Sequence, residues 1–254
     1  MIEALFTKQS IPTGYKPPTV EDELAECKTC TGLPCRKTRN RELIPEGAGF
    51  YPCPKAMRAD RQRAIEHRLK GAQIPPRYVG KTLADYTVDA DNRDAVAYAK
   101  TALKTRRGAF FFGDRGTGKT FLASIIAQEF VNAGLTVAFV KVPTLLRAVT
   151  DTFSGNGSTS QVLDAAINAD LLVLDDFGME KPTKFAGTTL CSIIDARYDN
   201  PAATTLITSN YPLERIRSEL DNATDGANFN GSRIVDRCKT ICKPILFRGT
   251  SRRH

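Results

Sequence analysis

The stretch Gly113-Asp-Arg-Gly-Thr-Gly-Lys119-Thr120 constrains this chain more than any other. It fits G-x-x-x-x-G-K-[S/T] at every fixed position, with a strand-like apolar run at 108–112 before it and good helix formers after it. In a strand–loop–helix setting, Gly113, Gly116 and Gly118 let the backbone wrap so that its N–H groups face the α- and β-phosphates of a nucleotide. Lys119 then reaches the β- and γ-phosphates, Thr120 can ligate Mg²⁺, and the helix N-terminus adds the positive end of its dipole. ATP and Mg²⁺ are the expected cofactors.

Around this loop, apolar runs rich in β-branched and aromatic residues fall at 108–112, 136–142, 170–174, 204–208 and 240–247. They read as strands. Helix-like stretches at 92–104, 119–133, 143–153, 161–168 and 184–198 lie between them, and 154–160 reads as a polar, glycine-containing loop. Strands alternating with helices imply parallel βαβ units, so the expected fold class is α/β with a parallel sheet covered on both faces. Ala72-Gln-Ile-Pro-Pro-Arg-Tyr78 cannot be helical at its centre, because each proline disfavours helix in the residue before it. The expected domains are therefore 1–71, ending in a charged helix over 55–70 with Gly71 as its stop, and 72–254.

Two further strand ends carry polar groups to the same sheet edge. Leu171-Leu-Val-Leu-Asp175-Asp176 delivers two acids where open α/β sheets bind ligands. Asp175 is expected to hold Mg²⁺ and Asp176 to orient or deprotonate the attacking water; the alternative is that both cap a turn. Asparagine at the end of Thr204-Thr-Leu-Ile-Thr-Ser-Asn210 reads by itself as a turn former, and its order after the other two motifs makes it a candidate sensor of the γ-phosphate.

The net charge of +8 favours polyanionic partners, and from Gly231 onward seven Lys or Arg residues stand against the single acid Asp236. That asymmetry points to nucleic acid, with plain solubility as the alternative. No apolar run approaches membrane-spanning length and the N-terminus lacks a signal pattern, so a cytoplasmic protein without membrane attachment is expected. Seven cysteines in such a compartment call for metal binding or burial rather than disulfides. Cys27, Cys30, Cys35 and Cys53 offer four soft thiolates suited to tetrahedral Zn²⁺, with a redox C-x-x-C and unliganded thiols as alternatives. His67 reads as solvated and Cys191 as a core residue; Cys238 and Cys242 share a face only if their segment is helical.

Taken together, these segments resemble the DnaC/DnaI-type replicative helicase loaders and the related IstB transposition ATPases. The resemblance covers about 72–247 and runs through Ile74-Pro-Pro-Arg-Tyr78, the Gly113 loop, Asp175-Asp-Phe-Gly178, Ile194-Asp-Ala-Arg-Tyr198, Thr208-Ser-Asn-Tyr211 and Ser232-Arg-Ile-Val-Asp-Arg237. It implies an AAA+ P-loop core without a C-terminal lid. Asn210 would be the first sensor and Arg233 an arginine finger acting on ATP held by a neighbouring subunit, which needs a self-oligomer in the ATP state. The alternative for Arg233 is a helical pair with Asp236. DnaI-type loaders also resemble this plan in having an N-terminal zinc module that contacts the helicase. The implied partners are a DnaB-type hexameric helicase and single-stranded DNA. Aspartate at 176, where most AAA+ proteins carry glutamate, implies slow hydrolysis. Target-DNA selection in transposition is the second reading; a P-loop small-molecule kinase fits less well, for nothing after Thr120 resembles an arginine-rich closing lid.

Overall fold

The computed structural model describes residues 43–46, 49–52, 54–153, 158–222 and 230–252. The chain divides into two compact units, 1–61 and 62–254. In the first, β1 (Leu43–Glu46) and β2 (Gly49–Pro52) form an antiparallel hairpin that the sequence reading did not anticipate. Helix α1 (Pro54–Gly71) follows, with Arg68 and Lys70 in its last turn, where cations meet the negative end of the helix dipole.

The larger unit is a five-stranded parallel sheet. Its elements are α2 (Arg93–Thr105), β3 (Gly108–Gly113), α3 (Lys119–Asn132), β4 (Val137–Lys141), α4 (Val142–Thr152), α5 (Thr159–Asn168), β5 (Leu171–Phe177), α6 (Lys184–Tyr198), β6 (Thr204–Ser209), α7 (Leu213–Asn222), α8 (Asn230–Ile241) and β7 (Cys242–Phe247). The strand order is β4-β5-β6-β3-β7, every neighbouring pair parallel. Side chains of a strand alternate between faces, so a sheet buried on both sides needs continuous apolar runs. Leu171, Leu172, Val173 and Leu174 are all fully buried. Leu171 and Val173 join Phe111, Leu122 and Ile125 in one cluster, whereas Leu172 and Leu174 join Phe110, Ile194 and Ile234 in the other.

Helices α7 and α8 were not anticipated, and α8 occupies the beginning of the run 240–247 that read as a strand. Of the loop expected at 154–160, residues 154–157 lie outside the described residues and α5 already begins at Thr159. Arg197 locks α6 to the sheet. Its buried guanidinium donates to the carbonyls of Ala166, Ile167 and Ala169, to the Thr205 hydroxyl and to the Thr204 carbonyl. Two of those carbonyls belong to the last turn of α5, where backbone acceptors have no partner within the helix. Among the described residues no helix is long and apolar enough to cross a membrane.

Candidate nucleotide site

The loop between β3 and α3 needs its glycines. Gly118 stands at φ +95° before the first residue of α3, and a Cβ there would lie 2.8 Å from the Tyr86 hydroxyl. Gly116, at φ +84°, faces Ser251 so closely that a Cβ would collide with it. The ammonium of Lys119 is held inside the loop, donating to the carbonyls of Gly113 at 2.8 Å and Asp114 at 2.7 Å.

Because β6 lies between β3 and β5, the ends of all three strands meet at one edge. Asp175 is 1% exposed, and its Oδ1 accepts from the Thr120 hydroxyl at 2.8 Å and the Thr208 hydroxyl at 2.6 Å. Its Oδ2 is buried and has no hydrogen-bond partner among the described residues. Burial pushes the Asp175 carboxyl above the usual carboxylate range, against the lowering effect of the Thr208 bond; the charge of Asp176 adds to the rise. Just beyond, the β5–β6 register breaks: Leu174 faces Ile207 and Phe177 faces Ser209, so Asp175 and Asp176 together oppose Thr208. The break is a bulge-like irregularity, and Asp176 within it adopts a left-handed φ of +59°. Asp176 lies 4.0 Å from the Lys141 ammonium.

Lys119, Thr120, Asp176 and Asn210 line one cavity of about 500 Å³, together with Gly116 and Gly118. The Asn210 amide donates to the Met179 sulfur at 3.3 Å, and Met179 also lines the cavity. Opposite the loop, the wall comes from the segment that the two prolines introduce. Tyr78 stacks on Phe121 at 4.9 Å, and Gln128 of α3 accepts from the Gly80 N–H and donates to the Tyr78 carbonyl at 2.9 Å. Sequence reasoning missed Tyr86, Arg115 and Arg252, which also line the cavity; Arg252 donates its backbone N–H to the Gly116 carbonyl and its guanidinium to the Thr87 carbonyl. It missed Thr208 as well, although the signal was present as a hydroxyl two residues before Asn210.

The family described as IstB-like ATP binding protein matches residues 54–254. The chain belongs to this family. Among similar proteins, the replicative helicase loader DnaC of Escherichia coli K12 is 26% identical over 188 residues, covering 72% of each chain. The protein YdaV of the same strain, itself described as uncharacterized, is 30% identical over 194 residues, covering 74% of this chain and 78% of YdaV. The crystal structure of DnaI superposes with a TM-score of 0.61 over 69% of this chain and 95% of that one, at 23% identity, a likeness of fold. The α/β fold is thus the AAA+-type P-loop architecture.

Other residues of this IstB-like chain lie away from the cavity. Arg233, on α8, does not pair with Asp236; its guanidinium reaches back to α6, 2.7 Å from the Asp195 carboxylate. Arg237 joins the same carboxylate at 3.5 Å and lies over the Tyr198 ring. The Asp195-Ala-Arg-Tyr198 segment therefore serves both the core, through Arg197, and this arginine pair. Neither arginine lines the cavity of its own chain. Cys27, Cys30, Cys35 and Cys53 lie outside the described residues. Cys191, Cys238 and Cys242 are buried free thiols, Cys238 on α8 and Cys242 opening β7, and His67 is exposed. Among the described residues no group of three or more His, Cys, Asp or Glu side chains is gathered as a metal site.

Proposed function

We propose that this chain is a Mg²⁺-dependent ATPase that loads a DnaB-type replicative helicase onto single-stranded DNA. The observation that carries the ATPase reading is Asp175: a buried carboxylate bonded through one oxygen to the P-loop hydroxyl of Thr120, with its other oxygen unpartnered among the described residues. Hard oxygen donors of this kind fit Mg²⁺, with Thr120 and Asp175 as its protein contacts. The ion, when bound, supplies charge neutralisation at the β- and γ-phosphates.

Lys119 and the loop N–H groups bind the phosphates. Asp176 orients the water whose oxygen bonds to the γ-phosphorus as the bond to the β–γ bridging oxygen breaks, giving ADP and phosphate, and its carboxylate takes up the proton released. Asn210 hydrogen-bonds near the γ-phosphate. Arg233, exposed and outside its own cavity, acts on ATP of a neighbouring subunit in a self-oligomer, which supports placing hydrolysis at subunit contacts. The short Asp176 side chain keeps turnover slow until DNA or the helicase stimulates it.

The loading reading is supported by the relative named replicative helicase loader DnaC, matched over 72% of both chains. Contact with single-stranded DNA is supported by Phe153, 68% exposed and edge-on to Phe185 at 5.8 Å, with exposed Lys181 and Lys184 nearby in sequence. Aromatic faces beside cations suit unstacked bases and a phosphate backbone. Cys27, Cys30, Cys35 and Cys53 would hold a structural zinc that shapes a helicase-docking module. The resemblance to the IstB transposition ATPases leaves a second reading, target-DNA selection in transposition. Pull-down with a purified DnaB-type helicase in ATP separates the two: stable capture is expected, and no capture at micromolar concentrations of both proteins would leave the transposition reading.

A further inference from the structure

Asp175 and Asp176 are adjacent acids with different tasks, and a regular strand would turn them to opposite faces of the sheet. The bulge changes that, and Thr208 is the residue opposite it. Thr208 is 1% exposed, so its hydroxyl acts on protein groups alone. It donates to Asp175 Oδ1 at 2.6 Å and accepts from the backbone N–H of Asp176 at 3.2 Å. One hydroxyl thus closes the ladder that the bulge opens and holds the Asp176 backbone at its left-handed φ of +59°.

From these contacts we infer that Thr208 is a positioning residue for both acids, fixing the orientation of the Asp175 carboxylate that would hold Mg²⁺ and the point at which the Asp176 carboxylate enters the cavity. With the Thr120 and Thr208 hydroxyls both on Oδ1, rotation of the carboxylate is arrested and Asp175 is kept beside the Thr120 hydroxyl with which it would hold the ion. Thr208 itself touches neither nucleotide nor metal. The inference rests on the ATPase reading, since it assigns the means by which that site is held in shape.

Outer hydrogen bonds to a metal-binding group are worth about 10–100-fold in metal affinity. Valine is close to threonine in volume but puts a methyl where the hydroxyl was, so Thr208→Val removes both hydrogen bonds with little change in packing volume. The test titrates MgCl₂ into the full chain with a fluorescent ADP and, separately, measures ATP turnover. Thr208→Val is expected to bind the fluorescent ADP without Mg²⁺ as a folded protein, to need about 10–100-fold more Mg²⁺ for the Mg²⁺-dependent signal, and to turn over ATP more slowly even at saturating Mg²⁺. Thr208→Ser, which keeps the hydroxyl, is expected to recover most of both. If Thr208→Val does not fold, Thr208→Ala carries the same expectations. Wild-type Mg²⁺ dependence and turnover in the hydroxyl-free variant would overturn the inference while leaving the ATPase reading intact. A wild-type chain that binds no nucleotide would overturn that reading and the inference with it.

Discussion

The Arg233 guanidinium is bound through two nitrogens to the Asp195 carboxylate, at 2.7 and 3.1 Å, which fixes an exposed arginine of α8 against α6. A surface pair of this kind adds little stability. Its consequence is geometric, for it holds Arg233 in one orientation outside its own cavity. Arg233→Ala is expected to keep ATP affinity in the monomer and to lose turnover by about 10³-fold or more, the scale of arginine fingers elsewhere. Asp195→Asn, which loosens the arginine, should lose less. Mixing Arg233→Ala with Lys119→Ala subunits should restore part of the activity each lacks, because one retains the ATP site and the other the arginine. Full activity of Arg233→Ala alone would exclude the role.

Asp175 gives a stability test in the absence of Mg²⁺ and nucleotide. Its carboxyl is pushed above its ordinary value of 3.8, chiefly by burial, so the folded state holds the proton more tightly than the unfolded one. The contribution of Asp175 to stability is then fully present below the ordinary value and is lost as pH rises through the raised value of the folded state. Asparagine carries no such charge. Asp175→Asn is expected to melt higher than wild type at neutral pH in EDTA, by about 2–4 °C if the difference is roughly 1 kcal/mol, and to lose that advantage in acid. An equal or lower melting temperature at pH 7 would contradict the account.

Arg197 makes the opposite prediction. Removing its guanidinium strands the carbonyls of Ala166, Ile167, Ala169 and Thr204 in the interior. Arg197→Ala should cost about 3–5 kcal/mol in urea unfolding. A loss under about 1 kcal/mol would mean that water reaches these groups.

For the N-terminal cysteines the expectation is about one zinc per chain in protein purified without chelators, lost in a Cys27→Ser, Cys30→Ser double variant that still binds nucleotide. Metal analysis without zinc would remove that assignment.

The nucleotide loop and the sheet were legible because each depends on contiguous residues: a fixed spacing in one case, strands buried on both faces in the other. Lys119, Thr120 and Asp175 follow from that directly. Thr208 does not, since its importance appears only when the register sets one residue against two across the β5–β6 bulge. Asp195 could not be found as the partner of Arg233 because the two are joined by packing of α6 on α8, whereas Asp236, three positions along, was the neighbour visible in sequence. Helix α8 was obscured by its opening Asn230-Gly-Ser, poor helix formers, although the buried spacing Ile234, Val235, Cys238 is helical. The β1–β2 hairpin carries Pro45 and Pro52, which argue against strand unless they lie on an edge.

The most direct measurement is helicase loading itself. A DnaB-type hexamer, single-stranded DNA coated with its binding protein, ATP and this chain are combined, and helicase on the DNA is counted after gel filtration. Helicase is expected on the DNA with the wild-type chain and at background with Lys119→Ala, whose ATP site is disabled. Equal loading with and without the wild-type chain, in protein shown to bind ATP and the helicase, would contradict the account.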